Sequence, residues 1–103
     1  MSTATMPPEA NALAPPRPTE VVAARDAAPG VVELALAPLD GPPPAYRPGQ
    51  FAMLYAFGAG EVAISIAGET RRPRPALLHA VRAVGAATRM LTRARPGDRI
   101  GAR

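Results

Sequence analysis

Apolar and polar positions alternate in short runs from Thr19 onward, and almost every run ends on a turn containing Gly or Pro. A period of two with such punctuation predicts β-strands rather than helices. The first run, around Val21 and Val22, ends at Ala27-Ala28-Pro29-Gly30. In the next, Val32, Leu34 and Leu36 alternate with Glu33, Ala35 and Ala37, the pattern of a half-buried strand. The Pro29-Gly30 link is short enough to join the two as a hairpin. Asp40-Gly41-Pro42-Pro43-Pro44 reads as a loop, since proline cannot donate to a sheet ladder. After a Pro48-Gly49 turn, residues 50–57 read as a strand with two apolar rows. Phe51, Met53, Tyr55 and Phe57 share one side and are expected to fill the core, with Ala52, Leu54 and Ala56 opposite. Gly58-Ala59-Gly60 turns the chain into residues 61–67, where Val62, Ile64 and Ile66 face one way and Ala63, Ser65 and Ala67 the other. Residues 68–75 read as a polar, proline-broken loop and residues 77–84 as a fifth strand.

The period changes after Gly85. Ala87, Met90, Leu91 and Ala94 stand at i, i+3, i+4 and i+7, an apolar stripe on a short helix over 86–95. Pro96-Gly97 stops it, and residues 98–102 read as a last short strand. Five or six short antiparallel strands with one late helix predict an all-β fold closed into a small barrel, which hides its strand edges. Residues 1–18 hold five Pro and follow neither period, so a flexible Pro/Ala-rich tail is expected ahead of one domain at 19–103.

Composition narrows the chemistry. With no Cys and one His in 103 residues, neither a disulfide framework nor a metal site is expected within the chain. The longest uncharged apolar run, residues 51–60, falls far short of the ~20 residues of a membrane span. No membrane contact and a cytoplasmic location are the expectation. Basic charge is all Arg and unevenly placed: residues 1–51 carry three Arg against five acids, residues 52–103 nine against three. A positive second half attracts anions, whether nucleic acid, an acidic partner or a phosphorylated small molecule. Four aromatics are few for a base-stacking surface, which disfavours nucleic acid. No Ser/His/Asp triad, carboxylate pair or P-loop can be assembled, so no catalytic side chain is assigned.

Gly85 stands directly before the helix, and neither Asp nor Glu follows in the first turn. Free N–H groups and the helix dipole suit such a position to a pyrophosphate. Thr88 could add a hydroxyl donor, Ala86 and Ala87 leave room for close approach, and Arg82 offers positive charge. The alternative is that Gly85 is only a permissive N-cap on a packing helix.

Three segments carry a resemblance when read in order: residues 47–54 (RPGQFAML), 60–66 (GEVAISI), and 79–91 (HAVRAVGAATRML) followed by 96–103 (PGDRIGAR). Over about 19–103 the chain resembles the flavin-binding barrel of the ferredoxin–NADP reductase superfamily. It is most similar to the gamma or electron-transfer subunits of nickel–iron hydrogenases, sulfite reductases and dihydroorotate dehydrogenases. The resemblance implies a six-stranded antiparallel Greek-key barrel holding FAD. It also implies an NAD(P)-binding domain or subunit as partner, and an iron–sulfur protein or hydrogenase-type subunit to exchange electrons with. An Arg-x-Tyr-Ser motif contacts the flavin in that family. Here Val62 stands in the Arg place, Ile64 in the Tyr place and Ser65 in the Ser place.

The FAD contacts so implied are Ile64 on the ring face, Ser65 at its reactive edge, and Arg82, Gly85, Ala86, Ala87 and Thr88 at the pyrophosphate. Family barrels continue through Gly-x-Arg-Gly-Pro-x-Gly into the nucleotide-binding domain. This sequence ends at Gly101-Ala102-Arg103, so that domain is expected to be absent from the chain. The implied function is a flavin module passing electrons between a nicotinamide and an iron–sulfur partner. Two rival readings stand beside it: a cofactor-free barrel that binds a protein or nucleic acid, and a truncated, non-functional fragment. His79 shares a strand face with Leu77 and Val81 and reads as packed rather than catalytic. Arg71, Arg72 and Arg74 read as a solvated loop, and Arg89, Arg93, Arg95 and Arg99 as an exposed basic face.

Overall fold

A computed structural model describes residues 15–47 and 49–103. The order is β1 (Arg17–Ala28), β2 (Val31–Pro38), β3 (Phe51–Ala56), β4 (Gly60–Thr70), β5 (Ala76–Arg82), α1 (Ala86–Thr92) and β6 (Arg99–Ala102). The six strands close into an antiparallel barrel in the order β1-β2-β5-β4-β3-β6. Strands β3, β4 and β5 form a meander, and β2 lies beside β5, which is the Greek-key arrangement. β1 begins at Arg17, two residues inside the expected tail; the tail's first fourteen residues lie outside those described.

Turn chemistry sets the hairpins. Gly30, at φ +73°, takes the left-handed conformation that lets β1 fold back on β2. Between β2 and β3, the Gln50 side-chain oxygen accepts the Arg47 N–H at 2.9 Å and the Gln50 N–H bonds back to the Arg47 carbonyl. β4 runs three residues further than expected, through Gly68-Glu69-Thr70, because these pair with Leu78-Leu77-Ala76 across a bulge after Ile66.

The interior holds Val21, Leu34, Leu36, Leu54, Ala56, Val81, Leu91 and Ile100. Thr19, also buried, satisfies its hydroxyl by donating to the Ile100 carbonyl at 2.6 Å. The face of β3 is the reverse of the expectation. Leu54 is fully buried and Ala56 nearly so, whereas Phe51 and Phe57 are 46% and 58% exposed. Six strands enclose a narrow space that Leu, Val, Ile and Ala fill, and a row of four bulky side chains faces outward instead. Out there Tyr55 and Phe57 meet edge to face at 5.1 Å. Tyr55 also lies over Gly101, where any added Cβ would stand 3.2 Å from its own.

β2 likewise departs from a half-buried strand: residues 34–38 are all buried. Ala35 and Ala37 join Ala76 in a second cluster outside the barrel, with Val22 and Leu78 packed against it. Arg74 reaches this side, donating to the Pro38 carbonyl at 3.1 Å and pairing with Glu20 at 3.0 Å, so it is tied down while its side chain stays partly exposed. At the start of β1 the Arg17 guanidinium, 2.7 Å from Asp40, holds that exposed carboxyl below its usual range.

The helix is shorter than expected, ending at Thr92. It drives Leu91 into the core, with Ala94 beyond its end packed on the same cluster. Met90, placed in the stripe by its spacing, is 49% exposed; buried Thr88 takes that share of the inner face. No helix among the described residues is long and apolar enough to cross a membrane.

Candidate functional site

The barrel wall parts between β4 and β5. Their ladder covers only Ile66–Thr70 against Ala76–His79. Beyond the Ile66–His79 rung, β4 runs back to Gly60 paired with β3 alone, while β5 continues to Arg82 paired with β2. Helix α1, three residues after β5 ends, packs against β3, β4 and β5 and so lies beside the parting. Of the seven residues singled out from sequence, Ile64, Ser65 and Arg82 stand at its margins, Gly85 in the turn that leads from it to α1, and Ala86, Ala87 and Thr88 in the first turn of α1 itself.

Ser65 is exposed on the outer face of β4, directly across from Phe51 of β3. Ile64 is turned the other way, half-buried against the core. The two therefore do not share a face, as the alternation of a regular strand requires. Arg82, the last residue of β5, is exposed, and no carboxylate among the described residues forms an ion pair with it.

Gly85 takes extended backbone (φ −160°, ψ −173°) ahead of the helix, and a Cβ there would meet nothing within 4 Å. No acidic residue occupies the first turn and no side chain caps it from position 85. The N–H groups of Ala86 and Ala87 open the helix without an intrahelical acceptor. Ala86 is exposed and Ala87 half-buried.

Thr88 departs from its expected part. Its hydroxyl oxygen accepts the N–H groups of Val84 (2.8 Å) and Gly85 (2.9 Å), and its proton goes to the Gly85 carbonyl at 3.2 Å. Buried and with its one proton committed, it cannot donate to an anion. Its role is to hold the 84–85 backbone in the half of a capping box that a glycine N-cap leaves available.

Two further arrangements escaped the sequence reading. Glu61 and Arg103 form a part-buried ion pair at 2.5 Å beside Tyr55, on β4 and just past β6. Their alternation with core positions 62 and 102 was readable, their pairing across β3 was not. The second is the hydrogen bond that His79 makes, its burial being expected. The residue is 2% exposed inside the barrel, as its phase with Leu77 and Val81 implies, and its Nδ1–H donates to the Ser65 carbonyl at 3.3 Å. An open recess of about 490 Å³ lies elsewhere, between the β1–β2 turn, Ala83 and Thr92, and neither Ser65 nor Gly85 lines it.

Burial pushes the His79 imidazole down to about 4, against 6.5 for the free side chain, the Ser65 bond opposing this only in part. The ring is neutral at pH 7. The unfolded chain binds this proton near 6.5 and the folded one only near 4, so the contribution is complete above pH 6.5 and drains as pH falls toward 4. The loss from this one group is about 3 kcal/mol. Urea unfolding at pH 7.5 and pH 4.5 should show it, and His79→Leu should remove most of the difference; an unchanged slope in that variant would assign the acid sensitivity elsewhere.

With this geometry in view, the barrel has solved counterparts. The chain is similar to full-length CYP116B46 from Tepidiphilus thermophilus, at 26% identity and a TM-score of 0.68 over 84% of this chain and 12% of that one. It is also similar to an intact type IV self-sufficient cytochrome P450 monooxygenase, at 19% identity and a TM-score of 0.72 over 96% and 14%. The likeness is one of fold. The chain spans only about an eighth of either counterpart's length. No protein-family model and no curated protein matches it.

Proposed function

We propose that the chain is the flavin-binding barrel of an electron-transfer reductase of the ferredoxin–NADP reductase type, with FAD as its cofactor. The observation that carries the reading is the parting of β4 from β5 beside a helix start that is open, uncapped by a side chain and free of acids. The residues present fit a dinucleotide of this kind. The N–H groups of Ala86 and Ala87 would take the pyrophosphate, with Gly85 leaving the approach clear and Arg82 adding counter-charge. Thr88 would keep that turn in shape. With the ring against the edge of β4 that β5 leaves unpaired, Ser65 would stand at its polar edge from the outer side and Ile64 would border it from the core side.

When bound, FAD supplies two-electron exchange with a nicotinamide and one-electron exchange with an iron–sulfur centre. The protein's share is to place the ring and to set which polar groups touch it. Partners of that chemistry, an NAD(P)-binding domain or subunit and an iron–sulfur protein or hydrogenase-type subunit, follow from the same reading. The likeness in fold to a part of a protein described as a self-sufficient cytochrome P450 monooxygenase is compatible with an electron-supply role in general terms. It leaves the choice of final acceptor broader than hydrogenase-type subunits alone.

The test is titration of the purified chain with FAD, FMN and riboflavin, read by flavin fluorescence and visible absorbance. FAD should bind more tightly than FMN, because only FAD presents a pyrophosphate to the start of α1. A protein that stays colourless and leaves the fluorescence of all three unchanged would defeat the proposal. Binding to RNA or DNA that weakens steeply with salt, in place of flavin, would favour the rival barrel.

A further inference from the structure

We infer that His79 is a positioning residue for Ser65: from inside the barrel its ring fixes the point at which β4 departs from β5. The inference builds on the proposed flavin site, because it makes the exposure of Ser65 to the cofactor depend on a side chain that never touches it.

Three observations support it. The Ile66–His79 rung is the last that joins β4 to β5, and Ser65 is the first residue of β4 beyond it. At that place the His79 Nδ1–H reaches the Ser65 backbone carbonyl at 3.3 Å, tying the two strands by a side chain where the ladder stops. Finally, the side chains that share the barrel interior with it are aliphatic: Leu34, which pairs with His79 in register, Ile66 across the rung, and Val81 two residues on. A leucine would fill such a position without the cost of desolvating an imidazole. What the histidine adds is one directional bond, and it is aimed at Ser65.

The bond matters because a bulge follows at once, between Ile66 and Gly68. A bulge locally loosens the ladder and re-aims the strand. Without a tie on its other side, β4 could part from β5 one residue later, which would carry Ser65 and its hydroxyl with it.

The experiment compares the full chain with His79→Leu, His79→Phe and His79→Asn. Leu and Phe keep an apolar filling without a donor, so the comparison survives if one of them fails to fold. Asn keeps an amide N–H near the place of Nδ1. Amide hydrogen exchange of residues 62–68, taken relative to the β1–β2 hairpin, should rise about tenfold in the apolar variants and stay within about threefold in Asn. FAD affinity should follow the same order. Exchange unchanged in the apolar variants, or as fast in Asn as in Leu, would overturn the positioning role. If exchange follows the expected order while neither the parent chain nor any variant binds flavin, the positioning of Ser65 stands and the flavin reading falls.

Discussion

Leu54→Ala should lower the melting temperature of this chain by roughly 10–25 °C, while Phe51→Ala, three residues earlier on the opposite face of β3, should leave it nearly unchanged. Leu54 has no exposed surface and packs in the core that includes Val21, Leu34, Val81, Leu91 and Ile100. Removing a buried leucine side chain costs about 2–5 kcal/mol, from lost burial and the cavity left behind. A folded part of under 100 residues has only about 5–15 kcal/mol to lose, and each kcal/mol shifts its midpoint by about 4–8 °C. Phe51 is 46% exposed, and its ring already faces water on the outer wall. Its truncation falls among surface changes worth about 0.5 kcal/mol or less. Circular dichroism melts of the two variants suffice. The comparison is strict because a slip of one residue in β3 would exchange the two outcomes. A fragile Phe51→Ala beside a robust Leu54→Ala would mean that β3 presents its other face to the interior.

That exchange of faces also marks the limit of what could be read from the chain. Strand number, the late helix and the turns at Pro29-Gly30 and Pro96-Gly97 were legible, because alternation and backbone-permissive residues act locally. Closure into a barrel followed from the count of short strands. β3 was different. Both of its rows are apolar, so a period of two offers two cores, and the choice rests on how much volume six strands enclose. β2 misled for a related reason, since alanines read as an outward row are covered by a small outer cluster of distant residues. Met90 sits correctly for a stripe, but a helix of seven residues on a barrel end buries a narrower face than the stripe assumes.

The candidate site divides in the same way. Ser65 and Ile64 on opposite faces follow from strand geometry alone. The openness ahead of Gly85 was inferable from small residues and missing acids, and the structure leaves that space clear. The direction of the Thr88 hydroxyl was not inferable. A threonine three residues after an N-cap serves equally as an anion donor or as a partner for the turn's own backbone, and only the closed set of three bonds decides. The bond between His79 and Ser65 joins residues fourteen apart across a bulge, which no local pattern encodes.

Gly85→Glu should abolish FAD binding while leaving the fold intact or slightly more stable, and the opposite signs are what make it informative. The backbone at Gly85 is extended, a conformation any residue adopts, and an added Cβ meets nothing within 4 Å. The variant therefore folds. A carboxylate near the start of a helix with no acid in its first turn gains about 0.3–1 kcal/mol from the dipole. That same carboxylate would occupy the place of the pyrophosphate. At about 5 Å and an effective dielectric near 20, each phosphate charge repels it by about 3 kcal/mol. Even with half of that screened by solvent and by Arg82, the two charges leave about 3 kcal/mol, roughly a hundredfold in affinity. Gly85→Gln has the same length without the charge and should bind FAD with a far smaller loss, separating repulsion from bulk. Added salt should restore part of the Glu variant's affinity and little of the Gln variant's. Equal losses in Glu and Gln would make position 85 a matter of space alone. Full affinity in Gly85→Glu would move the pyrophosphate away from α1 altogether, and with it the argument that the parting of β4 and β5 holds a dinucleotide.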